Sequence, residues 1–222
     1  PSNVCISRRS DQGNGFFPAS YAPLAIGEPS RGISNVRAID NAGKNSKRLA
    51  LLNRLDTGFR KRFNDKGVNA YNGFYDDALV LMKSKELTAF DLAGEPESIR
   101  TAYGNNAFGQ GCLLARRLVA SGVRFIEVTH GGWDHHKALA DEMGEVAPVF
   151  DQAFATLIAD LETRGMLDST LVVLATEFGR KPNFDGDGRS HHPACFSTAL
   201  AGGGVKPGFV YGRSDDLGFY VD

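Results

Sequence analysis

Between Ser46 and Ser121 the apolar residues recur at helical spacing, and after Arg124 short apolar runs flank one long amphipathic segment. The spacing predicts helices over 46–65, 73–82, 85–92, 96–103 and 106–121, the first capped by Ser46 and the fourth opened by Pro96. Strands are predicted over 124–129 and 170–176. Between them runs a helix over 137–164, broken near Pro148 and stopped by Gly165. Strand, helix and strand joined in this way form a right-handed parallel unit, so the expected class is α/β. A further strand over 196–201 follows a glycine-containing loop, 177–195, that has no helical period; without a crossover helix this strand is expected antiparallel to 170–176. Residues 1–45 are rich in Gly, Pro, Ser and Asn and read as a long ordered loop over the core, with Phe16, Phe17, Tyr21 and Leu24 buried beneath it. No internal repeat is present. The domain organisation expected is an irregular segment 1–45 and an α/β domain 46–222, helical over 46–121 and carrying sheet and site over 122–222.

Composition narrows the classes of partner. The chain is 42% apolar and 23% charged, with 25 basic residues against 26 acidic ones and a net charge of −1. That balance argues against nucleic acid, whose binders gain affinity from clustered Lys and Arg. The longest apolar runs, such as Leu171 to Ala175, fall far short of the ~20 residues of a membrane span. Cys5, Cys112 and Cys195 are too few for a disulfide framework, so cysteine usage leaves the compartment open. Arg8-Arg9 is not an export signal, because polar Ser10-Asp11-Gln12-Gly13 stands where an apolar segment should follow. A chain that starts at Pro1 without methionine reads as a piece of something longer.

The candidate chemistry lies in the histidines. All five, His130, His135, His136, His191 and His192, fall between positions 130 and 192 in two groups beside carboxylates and glycines. The first group, Thr129-His130-Gly131-Gly132-Trp133-Asp134-His135-His136, leaves an apolar strand; the second, Gly188-Arg189-Ser190-His191-His192-Pro193, sits in a loop. Glu177 ends another apolar strand between them. Ligands in parallel α/β sheets bind at the loops leaving the carboxyl ends of strands, where Asp134 and Glu177 both lie. The antiparallel return of 196–201 brings His191 to the same edge.

Imidazoles and carboxylates converging from separate loops are the usual ligands of a transition metal. Taken singly, each piece has a plainer meaning. Asp134 suits the N-cap of helix 137–164, Glu177 suits a surface ion pair with Arg180, and the pair before Pro193 suits a solvated turn. Their concentration favours a metal or anion site. Arg180 and Arg189 flank the loop, and guanidinium forks match phosphate or sulfate oxygens.

At these residues the chain resembles a known family. Ala115-Arg116-Arg117-Leu118-Val119, Gly122-Val123-Arg124-Phe125, Gly132-Trp133-Asp134-His135-His136, Asp160-Leu161, Arg164-Gly165, Glu177-Phe178-Gly179-Arg180, Gly188-Arg189-Ser190-His191 and Ala201-Gly202-Gly203-Gly204 are similar to the bacterial family known as domain of unknown function 1501. The resemblance runs from about Phe17 to the end. It implies a distant sulfatase-like branch of the alkaline phosphatase superfamily, with a mainly parallel sheet flanked by helices and an antiparallel C-terminal strand. It also implies a phosphate or sulfate ester as substrate, a divalent metal (zinc, manganese or calcium) and export to the periplasm. The superfamily's metal pattern maps onto Asp134, His136, Glu177 and His191, with Arg180 and Arg189 stabilising the oxyanion.

Four positions depart from the pattern. Phe178 stands where a second metal-binding His is usual, His135 and Lys181 stand in place of Thr, and Ser190 replaces an Asp that could orient His191. The superfamily's nucleophile and a further metal-binding Asp belong to a first strand near the domain's start. Nothing before Ser46 reads as that strand, which would place both upstream of Pro1. The competing class is a non-catalytic exported scaffold or binding protein that keeps the fold.

Overall fold

A computed structural model of the chain describes residues 2–6, 13–18, 21–37, 40–63 and 65–222. The paired arginines Arg8-Arg9 lie outside the described residues. The elements in chain order are strands β1 (Asn3–Ile6) and β2 (Leu24–Ile26), helices α1 (Ala42–Arg62), α2 (Lys66–Lys83), α3 (Glu97–Tyr103) and α4 (Ala107–Ala120), strand β3 (Phe125–Val128), helix α5 (Leu139–Thr163), and strands β4 (Leu171–Leu174), β5 (Gly179–Arg180), β6 (His191–His192) and β7 (Ala199–Gly202). They divide between two compact units. One holds Pro1–Gly94 and Arg117–Val128, the other Glu95–Arg116 and Thr129–Asp222.

The first unit contains a three-stranded parallel sheet in the order β2-β1-β3, with Val4 opposite Leu24 on one side and Ile126 on the other. Val4, Cys5 and Ile6 are all buried, as a central parallel strand requires when both its faces are covered. This corrects the reading of 1–45 as a loop without strands. Three apolar residues amid Gly, Pro and Ser give no period to detect, yet they form the middle of the sheet. Phe16, Phe17 and Tyr21 are exposed rather than buried, a second correction. Helix α1 starts earlier than predicted: Asn41, not Ser46, is its N-cap, accepting a hydrogen bond from the Lys44 amide at 3.0 Å. Asp65 likewise caps α2 through the Val68 amide, so α2 begins seven residues before the predicted 73. The predicted helix 85–92 is a 3-10 turn, Lys85–Phe90.

The second unit is built on α5. Its Ala153, Leu157 and Leu161 are buried, as are Tyr103 of α3 and Cys112, Leu113 and Leu114 of α4. The apolar i, i+4, i+8 spacing on α5 is what places those three on one face. The helix runs unbroken through Pro148, where a break was expected, and stops at Gly165 in the left-handed conformation (φ 65°) that glycine adopts without strain. Strand β7 pairs antiparallel with β4, Val173 opposite Leu200, as the loop argument required. The expected β3–α5–β4 parallel unit is not a hydrogen-bonded pair of neighbours: β3 pairs with β1, β4 with β7, and no ladder joins β3 to β4 among the described residues. The fold is therefore mixed α/β with a small parallel sheet flanked by helices. No described helix is long and apolar enough to cross a membrane.

Candidate metal centre

The candidate site lies within the second unit, where two loops are locked together by their backbones. The Arg189 amide donates to the His135 carbonyl at 3.0 Å, and the Leu139 amide, at the start of α5, donates to the Asp187 carbonyl at 3.0 Å. Between these bonds Gly188 is pressed onto the 136–137 peptide. A Cβ there would stand 2.1 Å from the His136 carbonyl carbon, so only glycine permits this approach. Next to it β5 and β6 form a two-residue ladder with Arg180 opposite His191. The ladder and the glycine contact bring His191 and Arg180 to the loop that carries Asp134 and His136.

The result is a triangle of potential ligand atoms. Asp134 Oδ1 is 3.0 Å from His136 Nε2 and 2.9 Å from His191 Nε2, and the two nitrogens are 3.1 Å apart. In a metal-free state each ring can satisfy its Nε2–H on Oδ1. Two imidazole nitrogens this close cannot both aim protons at each other, but both can aim lone pairs at a shared cation. Asp134, His136 and His191 each offer one ligand atom close enough to the others for a single divalent ion to be shared by all three. The donor set therefore fits a divalent metal. Two imidazoles and one carboxylate suit zinc, iron or manganese better than calcium, which prefers oxygen ligands throughout.

Arg180 is the fourth member. Its Nη2 donates to Asp134 Oδ1 at 2.5 Å and to the Trp133 carbonyl at 3.3 Å, and its Nη1 donates to the Arg189 carbonyl at 3.1 Å. The guanidinium and then His191 pull the Asp134 carboxyl down to about 2, although the side chain faces solvent. Asp134 is thus an anion at any physiological pH. The N-cap of α5 is Ala138 with no side-chain cap, which removes the helix-capping alternative for Asp134. The plainer alternative of a Glu177–Arg180 ion pair is not what forms: Arg180 lies on Asp134.

The decisive comparison is at the level of family. The model of the family described as "Protein of unknown function (DUF1501)" matches residues 1–222. This chain belongs to that family. No curated protein and no solved structure matches it.

Within this DUF1501 chain the structure brings three of the four sequence-predicted ligands together. Asp134, His136 and His191 form the group; Glu177, exposed beyond β4, is not part of it. The Arg189 guanidinium is engaged with backbone, donating to the Lys181 carbonyl and, at 3.5 Å, to the Arg180 carbonyl, where it braces the β5 turn. Ser190 donates to Asp185 at 2.6 Å, a carboxylate five residues away that ties the loop together. Phe178, which stands where a second histidine was expected, lies against the His191 ring with centroids 4.4 Å apart and restricts its rotation.

The remaining histidines support the site without joining it. His130 is stacked on Phe108 at 4.3 Å, and its Nδ1 accepts from the Trp133 indole at 3.2 Å; burial lowers its pKa and keeps it a neutral acceptor. His135 is buried with Nδ1 2.6 Å from Glu142 Oε2, which pins the residue between the two candidate ligands Asp134 and His136 to α5. Sequence reasoning grouped these histidines but could not sort them. Glu142 falls seven residues after His135, too far for a local motif, and gave no signal.

Proposed function

We propose that this protein is a metal-dependent hydrolase acting on phosphate or sulfate esters. The observation that supports the reading is the triangle of Asp134 Oδ1, His136 Nε2 and His191 Nε2, each about 3 Å from the others beside the Arg180 guanidinium. Asp134, His136 and His191 would hold the ion, with Glu177 a further ligand if the segment after β4 moves. A metal bound there supplies Lewis acidity toward an ester oxygen.

The chain's own groups do the rest. Asp134 carries a fixed negative charge, and Arg180 neutralises part of it and would give the N–H groups not bonded to Trp133, Asp134 or Arg189 to an incoming oxyanion. Arg189 serves the same anion indirectly, by fixing the carbonyls of Arg180 and Lys181 and so the direction of the Arg180 fork. Ser190 is held on Asp185 and takes no part. The reading includes membership of a sulfatase-like branch of the alkaline phosphatase superfamily and work in the periplasm, and it puts the hydroxyl nucleophile upstream of Pro1. A non-catalytic exported scaffold is the second reading, favoured by the same solvent-open triangle if no hydroxyl meets it.

The test is turnover of an aryl phosphate and an aryl sulfate by the chain and by the protein extended at its N-terminus, with zinc or manganese added. The extended protein is expected to be active and the 222-residue chain much less so, because charge stabilisation without a positioned hydroxyl does not complete the reaction. Metal bound without hydrolysis of either ester by the extended protein would favour the scaffold.

A further inference from the structure

Helix α1 is 21 residues long and buries none of them. At 100° per residue Leu51, Leu55, Phe59 and Leu52 share one side, Phe63 follows at the C-cap, and all five are between 38% and 69% exposed. A helix of this length gains little from its own hydrogen bonds in water, and an apolar stripe of this size ordinarily marks a contact surface. The charge on α1 is lopsided. It holds seven of the chain's 25 Lys and Arg but a single one of its 26 Asp and Glu, Asp56. Lys44 and Arg48 pair with Asp40, and Arg60 with Asp56, whereas Lys47, Arg54, Lys61 and Arg62 make no ion pair among the described residues. Lys47, Arg54 and Lys61 lie together on one flank of the stripe, on the Leu51 side, and Arg62 lies at its C-terminal end.

We propose that α1 is a docking helix for an anionic lipid surface. It would lie in the plane of the interface with Leu51, Leu55 and Phe59 at the acyl boundary and its cations among the headgroup phosphates. A flat anionic surface meets the apolar stripe and the basic flank beside it at once, and the long Lys and Arg stems reach the phosphates while covering the stripe's margin. The competing occupant is a second copy of the chain. Its first unit carries an apolar groove of about 650 Å³ lined by Phe74, Leu81, Phe90 and Leu118, but the groove's acidic residues are Asp77 and Glu86 alone. Two carboxylates match few of α1's cations. The proposal does not depend on the metal centre, which lies in the other unit.

Flotation of the 222-residue chain with vesicles of phosphatidylcholine, with and without about a third phosphatidylglycerol, tests it at low and high salt. Binding to anionic vesicles is expected to exceed that to neutral ones by at least about tenfold and to be lost in high salt. The combined change Lys47→Glu, Arg54→Glu and Lys61→Glu should reduce binding to the neutral-vesicle level. Leu55→Glu with Phe59→Glu should abolish it, with the melting curve of each variant showing a folded protein. Equal binding to both vesicle types would overturn the proposal on the unmodified chain alone. So would a dimer seen by light scattering without vesicles, dispersed by Leu55→Glu and accompanied by no vesicle binding; that outcome assigns the stripe to a second copy.

Discussion

Two arginine–carboxylate clusters of the second unit are built from similar parts and are suited to different ends. Arg116 is 4% exposed; it donates to both oxygens of Glu95 at 3.1 and 2.8 Å and lies 2.9 Å from Asp160, which also accepts from the Tyr103 hydroxyl. Around Asp134 an arginine and two imidazoles converge in the same way, but the carboxylate is 65% exposed and the rings about half exposed. In the first cluster, burial makes every pairing obligatory, because a charge left behind after losing its partner stays desolvated. In the second, solvent screens the pairs, so the convergence of three acceptor atoms gains the fold little and is available for a ligand. The difference teaches that a candidate site is marked by polar groups converging where the fold does not need them.

Breaking the first cluster should have the largest effect. Arg116→Ala strands Glu95 and Asp160 and is expected to lower the unfolding free energy by about 3 to 5 kcal/mol, measured by urea denaturation. Asp134→Ala should change stability by less than about 1 kcal/mol in the same experiment. Similar losses for both would erase the contrast.

Gly188→Ala sharpens it from the side of the backbone. The added methyl collides with the His136 peptide, so the two loops must separate. Zinc affinity should fall at least about tenfold while the melting of the α5 core changes little. An unchanged affinity would show that the loop contact does not position His191.

A pH titration probes the aromatic support beneath the metal loop. His130 has a folded-state pKa lowered by burial, so folding favours its neutral form, and the stability it contributes is present above the unfolded value of about 6.5 and declines as pH falls through it. Asp134 titrates near 2 and contributes nothing to that window. His130→Phe, which keeps the stack on Phe108, is expected to flatten the decline between about pH 7 and 5. A decline of unchanged steepness would assign it elsewhere.

The smallest effect concerns the thiols. Burial raises Cys112 to about 12 and also raises Cys5, whereas Cys195 is partly exposed beside the β5 turn. A thiol reagent at neutral pH should label Cys195 first in the folded protein, as peptide mapping would show. Prior labelling of Cys112 would mean that α4 opens readily.

Much of this arrangement could be read from the chain, and the gaps have physical causes. Helices α4 and α5 and strands β3, β4 and β7 carry enough apolar period to be found within a few residues. Strands β1 and β2 do not, because a short parallel strand owes its form to neighbours far along the chain rather than to its own pattern; β1 pairs with residues 125–128. Asp134 and His136 were legible from their spacing and His191 from the returning strand. The triangle's closeness was not, since it depends on Gly188 fitting against the His136 peptide. The role of Arg116 was invisible too: its partners lie 21 and 44 positions away, at Glu95 and Asp160.

The central claim is that Asp134, His136 and His191 form a metal centre, and calorimetric titration of zinc or manganese into chelator-treated protein tests it most directly. The account predicts one ion bound per chain, with affinity lowered at least about tenfold by Asp134→Ala or His191→Ala and melting behaviour preserved. Absence of binding by the unmodified chain, or affinity unchanged in both variants, would contradict it.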